Sequence, residues 1–483
     1  MAITNKLNKI VNLKIWETIG INSYGNMGSG AFITGDTVNE YMPEEDNIFV
    51  VLSSTSAQRY SAAENAFGAI TSPGLGGTFG AGTCGESMVY GAPNGVLLQS
   101  ATAGTTSTIT TNLNIVANLV GKKIKIAEGP NAGAQYTIAH NTIGANAVIT
   151  LTATAPLAFS AATKYYLCTG SLWVFNAGTL SSSSFRVYDY ATNAWTSRSI
   201  TNLPATWGTE GQLVRQHSIT DNYASGTVAS ATSTTLVVNG LTGTGYNWTN
   251  YEVEIVSGTG VGQVRTISAG TTSNLTVATA WTTIPNSTST YIIKGDRNAL
   301  YLLGNGATTI YKFDIALNTW TTITPTTARG GAMASGGTAD VVRDNQDWIV
   351  PVVASGKIGG QNGRYIYSFR GNGTSSLDIY DIALNTWQAV GYGNANGEAV
   401  WGGSCAIADG KYVYITTGSS GRFFRLNTTT NSLEPWAYNV YPQSTTSNGD
   451  KLLIVKYKSG NDTLTWLYSL GHSINIIQRM LVI

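Results

Sequence analysis

Charge is scarce in this chain. Of 483 residues only 11% are Asp, Glu, Lys or Arg, and 27 basic against 26 acidic side chains leave a net charge of +1. No Lys/Arg cluster is dense enough to neutralise several phosphates, which excludes nucleic acid as the expected partner. Histidine occurs three times, at His140, His217 and His472. Cysteine also occurs three times, at Cys84, Cys168 and Cys405. An odd number of widely separated cysteines defines neither a zinc spacing nor a disulfide framework, so buried free thiols are expected. No apolar run approaches the ~20 residues of a membrane span. Residues 1–16 scatter Lys6, Lys9 and Lys14 among Asn and aliphatic residues, without the continuous apolar core of a secretory signal. No long helical periodicity is present.

Glycine (55 residues), Thr, Ser and Asn are abundant, together with 25 Tyr and 12 Trp. This is a turn-rich, strand-rich composition, and the length suits a large core with about three domains. With no leader expected, triplets such as Asn247-Trp248-Thr249 and Asn274-Leu275-Thr276 read as by-products of an Asn/Thr-rich chain rather than glycosylation sites.

One phrase is written three times: Tyr188-Asp189-Tyr190-Ala191-Thr192-Asn193-Ala194-Trp195, Phe313-Asp314-Ile315-Ala316-Leu317-Asn318-Thr319-Trp320 and Tyr380-Asp381-Ile382-Ala383-Leu384-Asn385-Thr386-Trp387. The aromatic ends a strand. Asp and Asn bracket a tight turn, because their side chains bond nearby amides and Asn tolerates the left-handed region. The Trp opens the next strand and offers a flat face to a neighbouring sheet. Weaker copies are Tyr60 to Phe67, with Asn65 at the turn, and Arg425 to Asn431 leading to Trp436. Trp16-Glu17-Thr18-Ile19 matches the strand after the turn. Aromatic positions 16, 67, 195, 320, 387 and 436 are separated by 51, 128, 125, 67 and 49 residues.

The two long gaps contain related insertions. The segment from Gly129 to Ile138 aligns without gaps on that from Gly258 to Ile267, and Tyr165-Tyr166-Leu167-Cys168-Thr169-Gly170 matches Tyr291-Ile292-Ile293-Lys294-Gly295. Removing about 70 residues from each gap restores a repeat near the ~50 of kelch arrays. Within the second insertion, the Gly258 to Gly262 run is not followed by a helix or by Lys-Ser/Thr, so it reads as a hairpin turn, not a phosphate loop.

The phrase, its spacing and the pairs Gly330-Gly331 and Gly402-Gly403 resemble the kelch-type β-propeller family. The resemblance implies an all-β, kelch-like propeller of six blades, or seven if 474–483 supplies its own outer strand. The Trp16 strand is expected to close the last blade, beside strands at 452–457 and 464–470, so that no edge stays exposed. The expected organisation is propeller at 1–99, 171–224 and 296–483, with inserted β-modules at 100–170 and 225–295. Both insertions fall between the first and second strands of successive blades, hence on one face.

The stretch from Val253 to Ile293 is similar to a module of tail and other virion proteins of tailed bacteriophages, and 124–167 is a weaker copy. This resemblance implies a virion structural protein made in the host cytoplasm: a tail, neck or baseplate component, less so a head decoration. It would be a rigid homo-oligomeric platform binding other virion proteins. Tolerated loop insertions without a partner stand as the equal alternative. The rival function is a glycan-binding propeller that recognises a host surface sugar.

Chemistry is sparse. Three histidines do not furnish the His/Tyr set of copper-radical oxidases resembling galactose oxidase. Arg215, Arg329, Arg343 and Arg364, with Glu210 and Glu398, are candidates for a sialidase-type cluster, but their spacing selects no site. Asp340, Asp344, Asn345 and Asp347 lack the ordered ligands of a calcium loop. The segment from Gly25 to Gly30, with Ser29, does not meet the Gly-x-Ser-x-Gly elbow. No catalytic, cofactor or metal residue is predicted, and no enzyme.

Overall fold

The computed structural model describes residues 98–208, most of 211–341, 363–391 and, elsewhere, mainly strands: 17–19, 32–36, most of 47–89, 405–409, 412–416, most of 423–435, 451–459, 462–470 and 477–482. Every regular element among the described residues is a strand. Trp16, Asn65, Gly402, Gly403, Asn431 and Trp436 lie outside the described residues.

Among the described residues, six four-stranded antiparallel sheets follow one another along the chain. Blade 1 comprises Phe32–Asp36, Asn47–Val51, Ala57–Ser61 and Ala66–Ala69. Blade 2 comprises Cys84–Val89, Gly170–Phe175, Phe185–Asp189 and Ala194–Ser197. Blade 3 comprises Gly211–Arg215, Ala299–Gly304, Ile310–Asp314 and Thr319–Ile323. Blade 4 comprises Thr338–Val341, Tyr365–Phe369, Ser376–Asp381 and Thr386–Gly391. Blade 5 comprises Cys405–Asp409, Tyr412–Thr416, Phe423–Asn427 and Ser432–Pro435. Blade 6 takes Lys451–Ser459, Asp462–Leu470 and Ile477–Val482, and its fourth strand is Glu17–Ile19 from the other end of the chain. Because Ile477–Val482 is the third strand of that sheet, it starts no seventh blade.

The first strand of each blade touches the first strand of the next, and the first strand of blade 6 returns to that of blade 1. That cyclic order makes the arrangement propeller-like.

Strand alternation explains the packing. Gly170–Phe175 is buried along its whole length. Leu172 and Val174 join Phe49 and Val51 of blade 1, whereas Trp173 and Phe175 join Leu300, Leu302 and Trp320 of blade 3. In blade 3, Leu300 and Leu302 face blade 2, while Tyr301 and Leu303 face Ile366 and Tyr380 of blade 4. Successive side chains point to opposite faces, and both faces are covered, so these strands read as unbroken apolar runs.

The repeated phrase is the hairpin between third and fourth strands, with Tyr188 opposite Trp195, Phe313 opposite Trp320 and Tyr380 opposite Trp387. Asn193, Asn318 and Asn385 adopt φ of 48°, 57° and 55°, the left-handed region. Each Asp accepts from the turn: Asp189 from the Ala191 amide, Asp314 from Leu317, and Asp381 from Ala383 and Leu384. Each Asn also reaches the segment leaving the preceding blade. Asn193 Oδ1 accepts from the Thr71 amide at 3.1 Å and Asn318 Oδ1 from Ser199 at 3.0 Å, while Asn385 Nδ2 donates to the Thr324 carbonyl at 2.9 Å. The indoles of Trp195 and Trp320 donate to the Thr71 and Ser199 carbonyls of the same segments. The phrase is therefore an inter-blade lock as well as a turn. Asn318→Gly keeps the left-handed backbone but loses the lock, with an expected cost of about 1 kcal/mol in urea denaturation. Asn318→Ala adds left-handed strain and is expected to cost about 1–2 kcal/mol more.

Gly330 owes its identity to a close approach. A Cβ there would run into the Arg370 guanidinium and lie 2.9 Å from Asp378 Oδ1.

Candidate functional site: paired barrels on one face

Between the first and second strands of blade 2 the chain forms a closed six-stranded barrel, barrel I: Gln99–Gly104, Thr108–Thr111, Lys123–Glu128, Gln135–Asn141, Val148–Leu151 and Lys164–Cys168. At the same point of blade 3 it forms barrel II: Ala224–Ala231, Thr235–Val238, Tyr251–Ser257, Val264–Gly270, Asn274–Val277 and Thr290–Gly295. The cyclic strand order is identical. Bulges recur at matching places, between Ile138 and His140 in one and between Ile267 and Ala269 in the other. Each barrel has its own core, around Ile109, Ile124 and Tyr165 in barrel I and Leu236, Val253 and Tyr291 in barrel II.

In an antiparallel blade the first-to-second and third-to-fourth connections emerge on the same face. The barrels accordingly stand among the phrase hairpins. The Val116 amide donates to the Ala191 carbonyl at 3.1 Å, and Asn250 Nδ2 to the Ile382 carbonyl at 3.0 Å.

The barrels also bind each other, through equivalent positions. In the alignment anchored on Gly129 and Gly258, Lys125 matches Glu254 and Gly133 matches Gly262. Lys125 Nζ lies 3.1 Å from Glu254 Oε1. A Cβ on Gly262 would sit 3.0 Å from the Gly133 Cα, so two glycine turns meet backbone to backbone. The Glu254 carboxylate is almost completely buried. Its other oxygen faces Arg297 Nη2 at 3.1 Å and Lys294 Nζ at 3.7 Å, and Arg297 Nε donates to Glu252 at 2.8 Å. Burial acts to raise the Glu254 pKa, but Arg297, Lys294 and Lys125 outweigh it and hold the carboxyl at about 2. Tyr166, which pairs with Lys125 in barrel I, has its hydroxyl pKa raised by burial and then by the Glu252 charge of barrel II.

A carboxyl whose folded pKa lies below its unfolded value contributes stability that is complete above the unfolded pKa and disappears as pH falls through the folded one. The contribution of Glu254 is therefore expected to fade from about pH 5 down to about pH 2. Thermal melts of the protein and of Glu254→Gln should differ clearly at pH 7 and converge near pH 2.

The candidates for chemistry among the described residues are not assembled into a site. Arg329 is enclosed in blade 4, with Nε to Asp378 at 2.9 Å, Nη2 to Ser368 at 2.7 Å and the guanidinium 4.9 Å from the Trp387 ring centre. Arg364 forms a forked pair with Asp381. Arg215 is buried at the end of its strand. Asp340 accepts from the Ala408 amide, tying blade 4 to blade 5. His140 is exposed on barrel I. His217, His472, Glu210, Glu398, Arg343, Asp344, Asn345, Asp347 and the segment from Gly25 to Gly30 lie outside the described residues. Cys84 and Cys168 are buried and not disulfide-bonded. Among the described residues no group of three or more His, Cys, Asp or Glu is placed to hold a metal ion. The Lys125–Glu254 contact escaped sequence reading, although the matched positions carry Lys-x-Lys in one insertion and Glu-x-Glu in the other, a usable signal of complementary faces.

No protein-family model matches this chain, and no curated protein matches it. Among solved structures, the fucose-specific lectin of Aleuria aurantia, described as a six-bladed β-propeller, is similar at 7% identity with a TM-score of 0.39, over 95% of this chain and 94% of that one. The phage phi92 endosialidase is similar at 11% identity and a TM-score of 0.29, over 94% of this chain and 58% of that one. At such scores neither likeness bears on what this chain binds; the propeller-like assignment rests on its own strand order.

Proposed function

We propose that this protein is a non-enzymatic structural component of a tailed-bacteriophage virion, in the tail, neck or baseplate, built on a kelch-like propeller. The disc is the platform, and the two barrels are its contact elements for neighbouring subunits. The observation that carries this reading is the junction at Glu254. Two barrels of one topology, side by side on one face, are fused by a buried ionic cluster into a single rigid projection. Tolerated loop insertions would have no reason to be fixed to one another. The resemblance of the stretch from Val253 to Ile293 to a phage virion module, read from its sequence, is in keeping with the same reading.

The test is the particle. Purified phage should contain this protein at fixed stoichiometry through a density gradient, and disruption of its gene should give defective particles. Free secretion from an uninfected bacterium would sink the proposal. Among the residues whose side-chain burial is described, no Phe, Tyr or Trp is exposed. Glycan-array binding by the isolated protein is the result that would move the assignment to a receptor-binding propeller.

A further inference from the structure

The free ends of the two barrels form an uncharged surface. Lys164–Cys168 runs back into blade 2, so its Lys164 end is the far one, and Glu128 pairs with Lys164 there. The connections at the far end are 105–107, 129–134 and 152–163 in barrel I and 232–234, 258–263 and 278–289 in barrel II. None of them contains an Asp, Glu, Lys, Arg or His. At the border, Glu128 and Lys164 neutralise each other at 2.6 Å, and Arg265 is turned in over the Trp281 ring.

Aliphatic side chains stand out of this surface. Leu157 is 60% exposed, Ile284 47%, Val261 39% and Val256 37%. They are held there. Asn131 clamps Leu157 from both sides, Nδ2 donating to its carbonyl at 2.7 Å and Oδ1 accepting its amide at 3.1 Å. In barrel II, Gln263 clamps the loop before Ile284, Oε1 accepting from Thr282 and Thr283 and Nε2 donating to the Thr283 carbonyl at 2.7 Å. Val261 also lies against Gly133, so the apolar patch continues the seam between the barrels. Rigid presentation lowers the ordering cost of binding, and exposed aliphatics gathered at one uncharged end of the barrels mark a contact.

We infer that this distal end is a homotypic contact: it docks onto the same end of a second copy of this chain. The inference rests on reading the paired barrels as the assembly face. A second copy is the occupant because the surface carries no charge to repel its own image, and because a two-fold contact uses one patch twice. It also continues a seam that already joins barrel to barrel.

Sedimentation of the full-length protein tests this. A reversible dimer is expected, unaffected between about 50 and 500 mM salt because nothing charged is buried. Leu157→Asn combined with Ile284→Asn removes two exposed side chains from each copy and should weaken dimerisation on the order of 100-fold, with the melting temperature unchanged. A protein still monomeric at about 100 μM, the weak end of specific association, overturns the inference. A dimer indifferent to the double substitution, or one dissolved by salt, overturns it equally. So does a monomer that binds neutral glycans through these residues. Incorporation into particles is scored separately. A monomer found in particles ends the inference and spares the structural role; a dimer absent from particles does the reverse.

Discussion

Replacing Glu254 with alanine is expected to destabilise the protein by about 3–5 kcal/mol. The loss does not measure the worth of the pair. It arises because Lys125, Lys294 and Arg297 would be left facing one another, with Lys294 and Arg297 buried and Lys125 nearly so, and without the carboxylate they share. Glu254→Gln keeps the shape and should cost less, since the amide oxygen can still accept one hydrogen bond. Lys125→Met should be milder still, because Arg297 and Lys294 continue to neutralise Glu254. It removes only the contact from barrel I. Chemical denaturation of the three variants should rank them in that order. If Glu254→Ala were within 1 kcal/mol of the wild type, the cluster would not be joining the barrels in solution.

Trp320→Ala should cost about 3–5 kcal/mol, and Trp195→Ala clearly less, although both fill the same place in the phrase. Trp320 is fully buried, with the rings of Phe313 at 4.9 Å and Phe185 at 5.1 Å, and it belongs to the shared core of blades 2 and 3. Removing it opens a cavity between two sheets, lined by rings that cannot collapse into it. Trp195 is only half-buried at the edge of the blade 1–blade 2 core, so solvent can fill what it leaves. Both substitutions delete an indole donor to the preceding blade, so the difference in melting temperature reports chiefly the cavity left by Trp320. Equal effects would show that the hydrogen bond, not packing, gives the phrase its Trp.

Much of this architecture is legible in the chain. The recurrence of Asp-x-Ala-x-Asn-x-Trp locates three hairpins between third and fourth strands. The residual gaps locate two interruptions, because a repeat that must pack against its neighbours keeps a constant length and insertions stand out against it. Strand type was readable where burial on both faces makes a run continuously apolar, as in Gly170–Phe175. The partners of polar side chains were not readable. Arg329, a candidate for carboxylate binding by sequence, is enclosed with Asp378 and Trp387, 49 and 58 positions further along. Asn318 carries a local signal for its turn, but nothing local says that it also accepts from Ser199, 119 residues earlier.

The sequence by itself determined a repeating all-β chain, poor in charge and interrupted twice by related modules, because turn chemistry and strand alternation are local properties. The repeat also pointed to Glu17–Ile19 as the strand that closes the last blade, and only the tertiary structure decided that its direct partner is Ile477–Val482. The tertiary structure alone decided that the phrase locks each blade to the one before, and that Lys125 of one barrel meets Glu254 of the other. Those contacts join residues distant along the chain, and burial and distance, not sequence spacing, select them.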